Sequence, residues 1–141
     1  MAKMTVSTGE EFLLKLSRLS AGMASGIAKK AIYKGAGCVA DEIKQQLHNT
    51  VSEEATGDLE ASIGITTMEQ DANGDWNAKI GFDGYDRNGT PNQLKARVLE
   101  SGSSTRQKHP FVRPAVNRAK PKAQALMEQV IKEETEKIMK D

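Results

Sequence analysis

Six residues spaced four apart, Ile27, Ala31, Gly35, Val39, Ile43 and Leu47, draw one small and apolar row along a helix, and a row of that length has to be buried. Ile32, Ala36 and Ala40 widen it. The spacing predicts a long helix that runs to about His48. Within it, Gly35-Ala36-Gly37 is a costly choice, because a glycine disfavours a helix interior by about 1 kcal/mol relative to alanine. The cost makes sense if another backbone packs close to that patch. A second stripe, Ala123, Leu126, Met127, Val130, Ile131 and Ile138, with charges opposite, predicts a C-terminal helix.

Between the two stripes the period changes. Leu59 to Thr66 and Trp76 to Phe82 both alternate with period two, and Asp71-Ala72-Asn73-Gly74-Asp75 between them carries a turn pattern, so an antiparallel hairpin over Leu59–Phe82 is expected. Leu59, Ala61, Ile63 and Ile65 would face the helices. Asp83 to Asn92 reads as a loop, Gln93 to Ser101 as a short helix stopped by Gly102, and Ser103 to His109 as a polar loop. Pro114 suits the first turn of the last helix, and Pro121 is expected to break or kink it. Upstream, Ser7 and Thr8, each with a Glu three residues on, resemble a capping box before Phe12, Leu13, Leu16 and Leu19. This predicts a short helix over about 8–20, able to act as a flexible arm. The expected fold class is α+β: an antiparallel β-hairpin or small sheet packed by a long N-terminal helix and a C-terminal helix, with residues 1–141 as a single domain.

No catalytic, cofactor or metal site is read from the sequence. His48 and His109 are the only histidines and Cys38 the only cysteine, so a zinc site would have to gather three distant segments. Ser62 does not sit in a nucleophile elbow, and Gly81, Gly84 and Gly89 match no phosphate-binding loop. The stretch Asp83–Gly89 looks superficially like a calcium loop. Counted from Asp86, however, Pro91 and Arg97 occupy the positions that require glycine and glutamate, and the residues read better as turn formers. The chain is not expected to be an enzyme and no cofactor is expected. The start MAKMTVSTGEEF has no apolar run behind a basic segment, so neither a signal peptide nor a membrane partner is expected.

The formal net charge of +1 argues against a dedicated DNA binder, but it averages a strong asymmetry. Between Lys44 and Lys79 there is no Lys or Arg, while Glu53, Glu54, Asp58, Glu60, Glu69, Asp71 and Asp75 fall there. From Lys95 to Lys122 the basic residues Lys95, Arg97, Arg106, Lys108, Arg113, Arg118, Lys120 and Lys122 face the single acid Glu100. Patches of opposite sign can organise contacts between chains.

Two clusters go beyond composition. Thr56-Gly57-Asp58-Leu59-Glu60-Ala61-Ser62-Ile63 follows the long helix. Downstream, Val98-Leu99-Glu100-Ser101-Gly102-Ser103-Ser104 leads into His109-Pro110-Phe111-Val112-Arg113-Pro114-Ala115. Elements of this kind, in this order before a C-terminal helix, resemble the siphophage tail-component family, the lambdoid minor tail protein Z-like proteins grouped with tail-completion and head–tail joining factors. Ser101 and Ser103 stand where that pattern often has an aromatic and a Thr, and Ala55 stands where it often has a Pro.

The resemblance implies a virion structural protein, assembled in the bacterial host cytoplasm. It would form a ring of identical subunits, a hexamer in expectation, at the head–tail junction. Its partners would be copies of itself and other neck or tail proteins: a head-closure protein, the tail tube or a terminator. No sequence-specific nucleic acid is expected, although genome DNA could pass through such a ring. Candidate interface residues are Glu53, Glu54, Asp58 and Glu60 on the acidic side and Arg106, Lys108, Phe111, Arg113 and Arg118 on the basic side. Core packing within the subunit is the competing role for Phe111. The alternative function is a nucleic-acid-binding accessory protein using the basic 95–122 segment; a small enzyme or toxin-type module would need a polar pocket that the sequence does not advertise.

Overall fold

A computed structural model describes residues 2–6, 12–16, 24–50 and 57–140. The fold is α+β, with strands β1 (Ala2–Val6) and β2 (Phe12–Leu16), helix α1 (Ala24–Thr50), a helical turn α2 (Asp58–Ala61), strands β3 (Ile63–Ile65), β4 (Glu69–Gln70) and β5 (Trp76–Phe82), and helices α3 (Asn92–Ser101) and α4 (Val112–Lys140). The most extensive contact in the chain is between α1 and α4. Lys30 meets Glu134 at 3.2 Å, Gly35 meets Met127, and Glu42 meets Arg118 at 3.6 Å. Early residues of one helix thus face late residues of the other, and the two run antiparallel.

The row predicted from the sequence is the packing face. Ile27, Ala31, Val39, Ile43 and Leu47 are buried, together with Ala28, Ile32, Ala36 and Ala40. Ala115, Ala119, Ala123 and Met127 of α4 join the same cluster. Small residues on both helices allow a close approach, and Gly35 marks the tightest point: a Cβ there would stand 2.7 Å from Met127 Cγ and 2.8 Å from its Sδ. The neighbour that requires this glycine is a flexible side chain rather than the expected backbone. A Cβ on Gly37 would meet nothing within 4 Å.

The sheet is antiparallel throughout, in the order β1-β2-β5-β3, with β4 also paired to β5. β3 and β4 lie along one edge of β5 and are separated by a one-residue slip: Ile65 pairs with Ile80, whereas Glu69 pairs with Asn77. Thr66 holds the join, its N–H donating to the Lys79 carbonyl at 2.8 Å and its Oγ1 accepting from the Lys79 N–H at 2.8 Å. Ala78, Ile80 and Phe82 of β5 are buried while Lys79 is exposed, the alternation of a sheet with one covered face. α1 packs against β5, β3 and β2, and α4 against β1.

Three expectations are corrected. Phe12–Leu16 is not helical but forms β2, which pairs with β1 on one side and with β5 on the other. A short apolar run carries no decisive period, and pairing along both edges, a tertiary effect, decides it. The capping-box residues Ser7 and Thr8, and Leu19, lie outside the described residues. Leu59–Ala61 is a helical turn rather than strand, so the hairpin begins at Ile63. Gly57 takes a left-handed φ of 84°, the Ala61 N–H returns to the Gly57 carbonyl at 3.0 Å, and the Ser62 N–H to Asp58 at 3.1 Å. Finally, α4 is not broken at Pro121 but continues through it. Pro121 and Asn117, whose carbonyl would have accepted the missing N–H, are both exposed, so water can take that place.

The two glycines of α1 should respond oppositely to substitution. Gly37→Ala is expected to raise stability by about 0.5–1 kcal/mol, and Gly35→Val to lower it by about 1–3 kcal/mol through overpacking against Met127. Urea unfolding of the two variants checks both signs.

Candidate functional site: the junction at the start of the last helix

The described residues carrying the second sequence element form one hydrogen-bonded junction. α3 ends at Gly102, whose φ of 78° suits glycine and whose N–H donates to the Val98 carbonyl at 2.7 Å. The backbone then folds tightly on itself. A Cβ on Gly102 would stand 3.1 Å from the Arg106 carbonyl oxygen and the Lys108 nitrogen. Ser103 closes this loop, its N–H donating to the Arg106 carbonyl at 2.9 Å and its Oγ accepting from the Arg106 N–H at 3.1 Å. The His109 N–H donates to the Leu99 carbonyl at 2.7 Å, which brings the next residues alongside Glu100.

Glu100 caps the N-terminus of α4. Its Oε1 accepts from the Phe111 N–H at 2.8 Å and the Val112 N–H at 2.7 Å, and its Oε2 from the Arg113 N–H at 3.1 Å. A helix begins with four N–H groups that have no partner within it. Here three are bound by one carboxylate, and the fourth position is Pro114, which has no N–H. The first internal bond follows at once, from the Ala115 N–H to the Phe111 carbonyl at 3.2 Å. The negative charge also opposes the positive end of the helix dipole. Phe111 is fully buried and meets Phe82 edge-on, with ring centroids 5.8 Å apart at 71°, joining the start of α4 to the end of β5.

Around the first element, Asp58 accepts a two-pronged contact from Arg87, Nε to Oδ2 and Nη2 to Oδ1, both at 2.9 Å, as well as the Arg87 N–H at 3.1 Å. Asp58 raises the guanidinium pKa above its usual value, chiefly through these hydrogen bonds. The 83–92 loop is well tied. Asp86 Oδ1 accepts the N–H groups of Asn88 and Thr90, each at 2.9 Å, and Gly89 takes a φ of 83°. The Thr90 N–H, followed by the Lys95 ammonium at 3.0 Å, holds the Asp86 carboxyl below the usual aspartate value. Asp71 repeats the device in the hairpin turn, accepting from Asn73 at 2.9 Å and Asp75 at 3.0 Å, with Gly74 at a φ of 84°. The residues that look like a calcium loop therefore act as turn formers.

The candidate interface residues are not brought together as one surface. Glu53 and Glu54 lie outside the described residues. Asp58 is engaged by Arg87, and Glu60 Oε2 lies 3.7 Å from His48 Nδ1. Arg106 and Lys108 stand exposed on the loop before α4, and Arg113 is exposed on its first turn. Arg118 is exposed and reaches Glu42 of α1. Phe111 belongs to the subunit's own core and presents no surface to a neighbour. Among the described residues, Asp58 meets Arg87 and Glu60 meets His48, and neither of these contacts involves the basic segment. In the sequence Glu100 stands as the single acid of the basic segment and as part of the second element, and no capping role is read from it. The signal that marks it is a carboxylate on the last turn of one helix, followed by Gly102 and then by Pro114 in the first turn of the next.

Cys38 is a partly exposed free thiol whose pKa burial raises. Among the described residues, no cluster of His, Cys, Asp or Glu could hold a metal ion, and no helix is long and apolar enough to cross a membrane. No known protein family, characterised protein or solved structure matches this chain.

Removing the cap should be costly. Glu100→Ala strands backbone donors at the start of α4 and is expected to destabilise the fold by about 1–3 kcal/mol, read by thermal or urea unfolding. Asp86 sets a pH dependence. Its carboxyl is lowered in the fold, so its contribution is fully present above the usual aspartate value and is lost as pH falls through the lowered one. The melting-temperature gap between wild type and Asp86→Asn should accordingly be widest near neutral pH and shrink in acid.

Proposed function

We propose that this chain is a structural subunit of a tailed-bacteriophage virion that assembles into a ring, in expectation a hexamer, at the head–tail junction. The observation that carries the reading is the pair of sequence elements, Thr56–Ile63 and Val98–Ala115, in the order found in the siphophage tail-component family. Both do specific local work in this fold. Gly57 turns the chain into α2 and β3, and the second element supplies Glu100, Gly102 and Pro114 to the junction that starts α4. The role is that of an assembly component, not an enzyme, and it needs no cofactor.

Ring closure needs a heterologous interface, two different patches of one chain meeting across neighbouring subunits. Arg97, Arg106, Lys108, Arg113, Lys120 and Lys122 are exposed, and among the described residues the ion pairs that the basic segment makes inside the subunit use Lys95 and Arg118. Cations therefore remain for a neighbour, where they would set register and encounter rate more than raw affinity. The second reading, a nucleic-acid-binding accessory protein, rests on the same exposed cations and predicts DNA binding that weakens steeply with salt.

The mass of the purified protein, alone and with tail tubes, tests the proposal: a ring-sized species or binding to tube ends is expected. Reversing Arg113 and Arg118 to Glu should impair assembly at low salt while the fold survives, because the Arg118–Glu42 pair is exposed and contributes about 0–1 kcal/mol. A monomer that ignores tail tubes, or salt-sensitive DNA binding in its place, overturns the reading.

A further inference from the structure

We infer that the sheet continues from copy to copy, the β1 edge of one subunit pairing with the β3–β4 edge of the next. Among the described residues β1 pairs on one side only, and so do β3 and β4. Each end of the sheet therefore presents backbone groups that another strand can take up. The two edges belong to one chain but differ in sequence, so the contact is heterologous, the kind that closes a ring. The inference rests on the ring reading and names the surfaces that build the ring.

The topology admits a second copy. Four strand positions, β1, β2, β5 and β3–β4, alternate in direction across the sheet. Because their number is even, a copy related by rotation brings its β3–β4 edge antiparallel to β1, and the alternation continues unbroken. The helices leave room for it. Packed helices lie about 8–10 Å apart and paired strands about 4.8 Å apart. With α1 over β5, the neighbouring α4 falls two strands away, against β1. Both helices thus occupy one face, and the hydrogen-bonding direction of β1 stays open.

The rows that cross the sheet end in matching residues. One runs Lys3, Lys15, Asn77, Glu69, on the face away from the helices, since Ala78, the next residue after Asn77, belongs to the core. Joined edge to edge, two copies bring Glu69 of one beside Lys3 of the other. Within the subunit Lys3 stands directly opposite Lys15, an arrangement of like charges that is destabilising and that an acid alongside relieves. Glu69 is exposed and, among the described residues, forms no ion pair. The Asp83 carboxylate strengthens the negative end, its Oδ2 lying 3.3 Å from the position of a Cβ on Gly64. A second row, on the core face, runs Val6, Phe12, Ile80, Ile65. Both its ends are apolar, and Ile65 is 38% exposed although Ile80 beside it is buried. A neighbour's Val6 would stand next to it. The two rows lie on opposite faces and on either side of the slip between β3 and β4, and both ask for the same register.

Sedimentation velocity of the whole protein over a range of concentrations at low salt tests the contact. Wild type is expected to associate beyond a dimer. Lys3→Glu and Glu69→Lys should each raise the concentration needed by about tenfold or more, and the double variant should return it close to the wild-type value. Mixing the two single variants should restore association as well, because each supplies the charge that the other's edge lacks. Unchanged melting curves confirm that the single variants are folded. Should either fail to fold, Ile65→Thr decides in its place, with association weakened by about threefold or more at every salt concentration. Ring-sized association that ignores both charge reversals overturns this contact and leaves the ring reading standing. A monomer at every concentration overturns both. Weakening that neither the double variant nor the mixture rescues overturns the contact, and so does a species that stops at a dimer. Association promoted by Lys3→Glu overturns it too, since Lys3 would then be a guard that keeps the edge unpaired.

Discussion

One carboxylate organises the C-terminal half of this protein. Glu100 belongs to α3, yet its hydrogen bonds lie in α4, where it takes up three of the four donors that a helix start leaves open while Pro114 removes the fourth. Without such a partner these groups, at a half-buried junction beside the Phe111–Phe82 contact, would face desolvation with nothing to bind. The contact also fixes direction. It determines where α4 begins, and so which residues of α4 lie against α1 further along. Gly102 and the Ser103 turn matter because they return the chain to Glu100 after a loop of the right length.

The α1–α4 pair depends on that placement. Its contact surface is built from small residues, which bring two helices close but offer little to lock one register over another. Register is set by the few large features: Met127 seated in the notch left by Gly35, with the Lys30–Glu134 and Glu42–Arg118 pairs on either side of it. The exposed ion pairs add little energy; steric fit at Gly35 does more. The sheet beneath them gains from its order. β5 is paired along both edges, and its alternating residues supply the apolar surface over which α1 lies.

The loops on the α3 side are held by side chains borrowed from the loops themselves. Asp71 and Asp86 build the same turn, each carboxylate accepting the N–H groups two and four residues on, each closed by a glycine with positive φ. Such loops are ordered without a core beneath them. That is why a polar, glycine-rich stretch between β5 and α3 is held in place. Among the described residues, the cations of the 95–122 segment divide into two kinds. Lys95 and Arg118 are consumed by the fold, and Arg106, Lys108 and Arg113 remain outside it.

The elements with a long, clean period were legible in the sequence. Repeats of four from Ile27 to Leu47, the stripe from Ala123 to Ile131, and strict alternation over Trp76–Phe82 each commit many residues to one face, so α1, α4 and β5 stand where periodicity places them. The turn residues were legible too, because Asp and Gly act locally. Short segments were not. Phe12–Leu16 is apolar without a period, and its pairing with β1 and β5 decides for strand. Leu59–Ala61 alternates like a strand but is turned into a helix by Gly57 and held by Arg87, 29 residues from Asp58. Pro121 stays inside α4 because its missing bond faces water. The partners of Glu100 and the burial of Phe111 depend on which chain segments meet, and no local pattern encodes that. Sequence alone determined the faces that must be hidden and the points where the chain must turn; the tertiary structure decided which hidden faces meet and which charges are left over, because both depend on contacts between residues far apart in the chain.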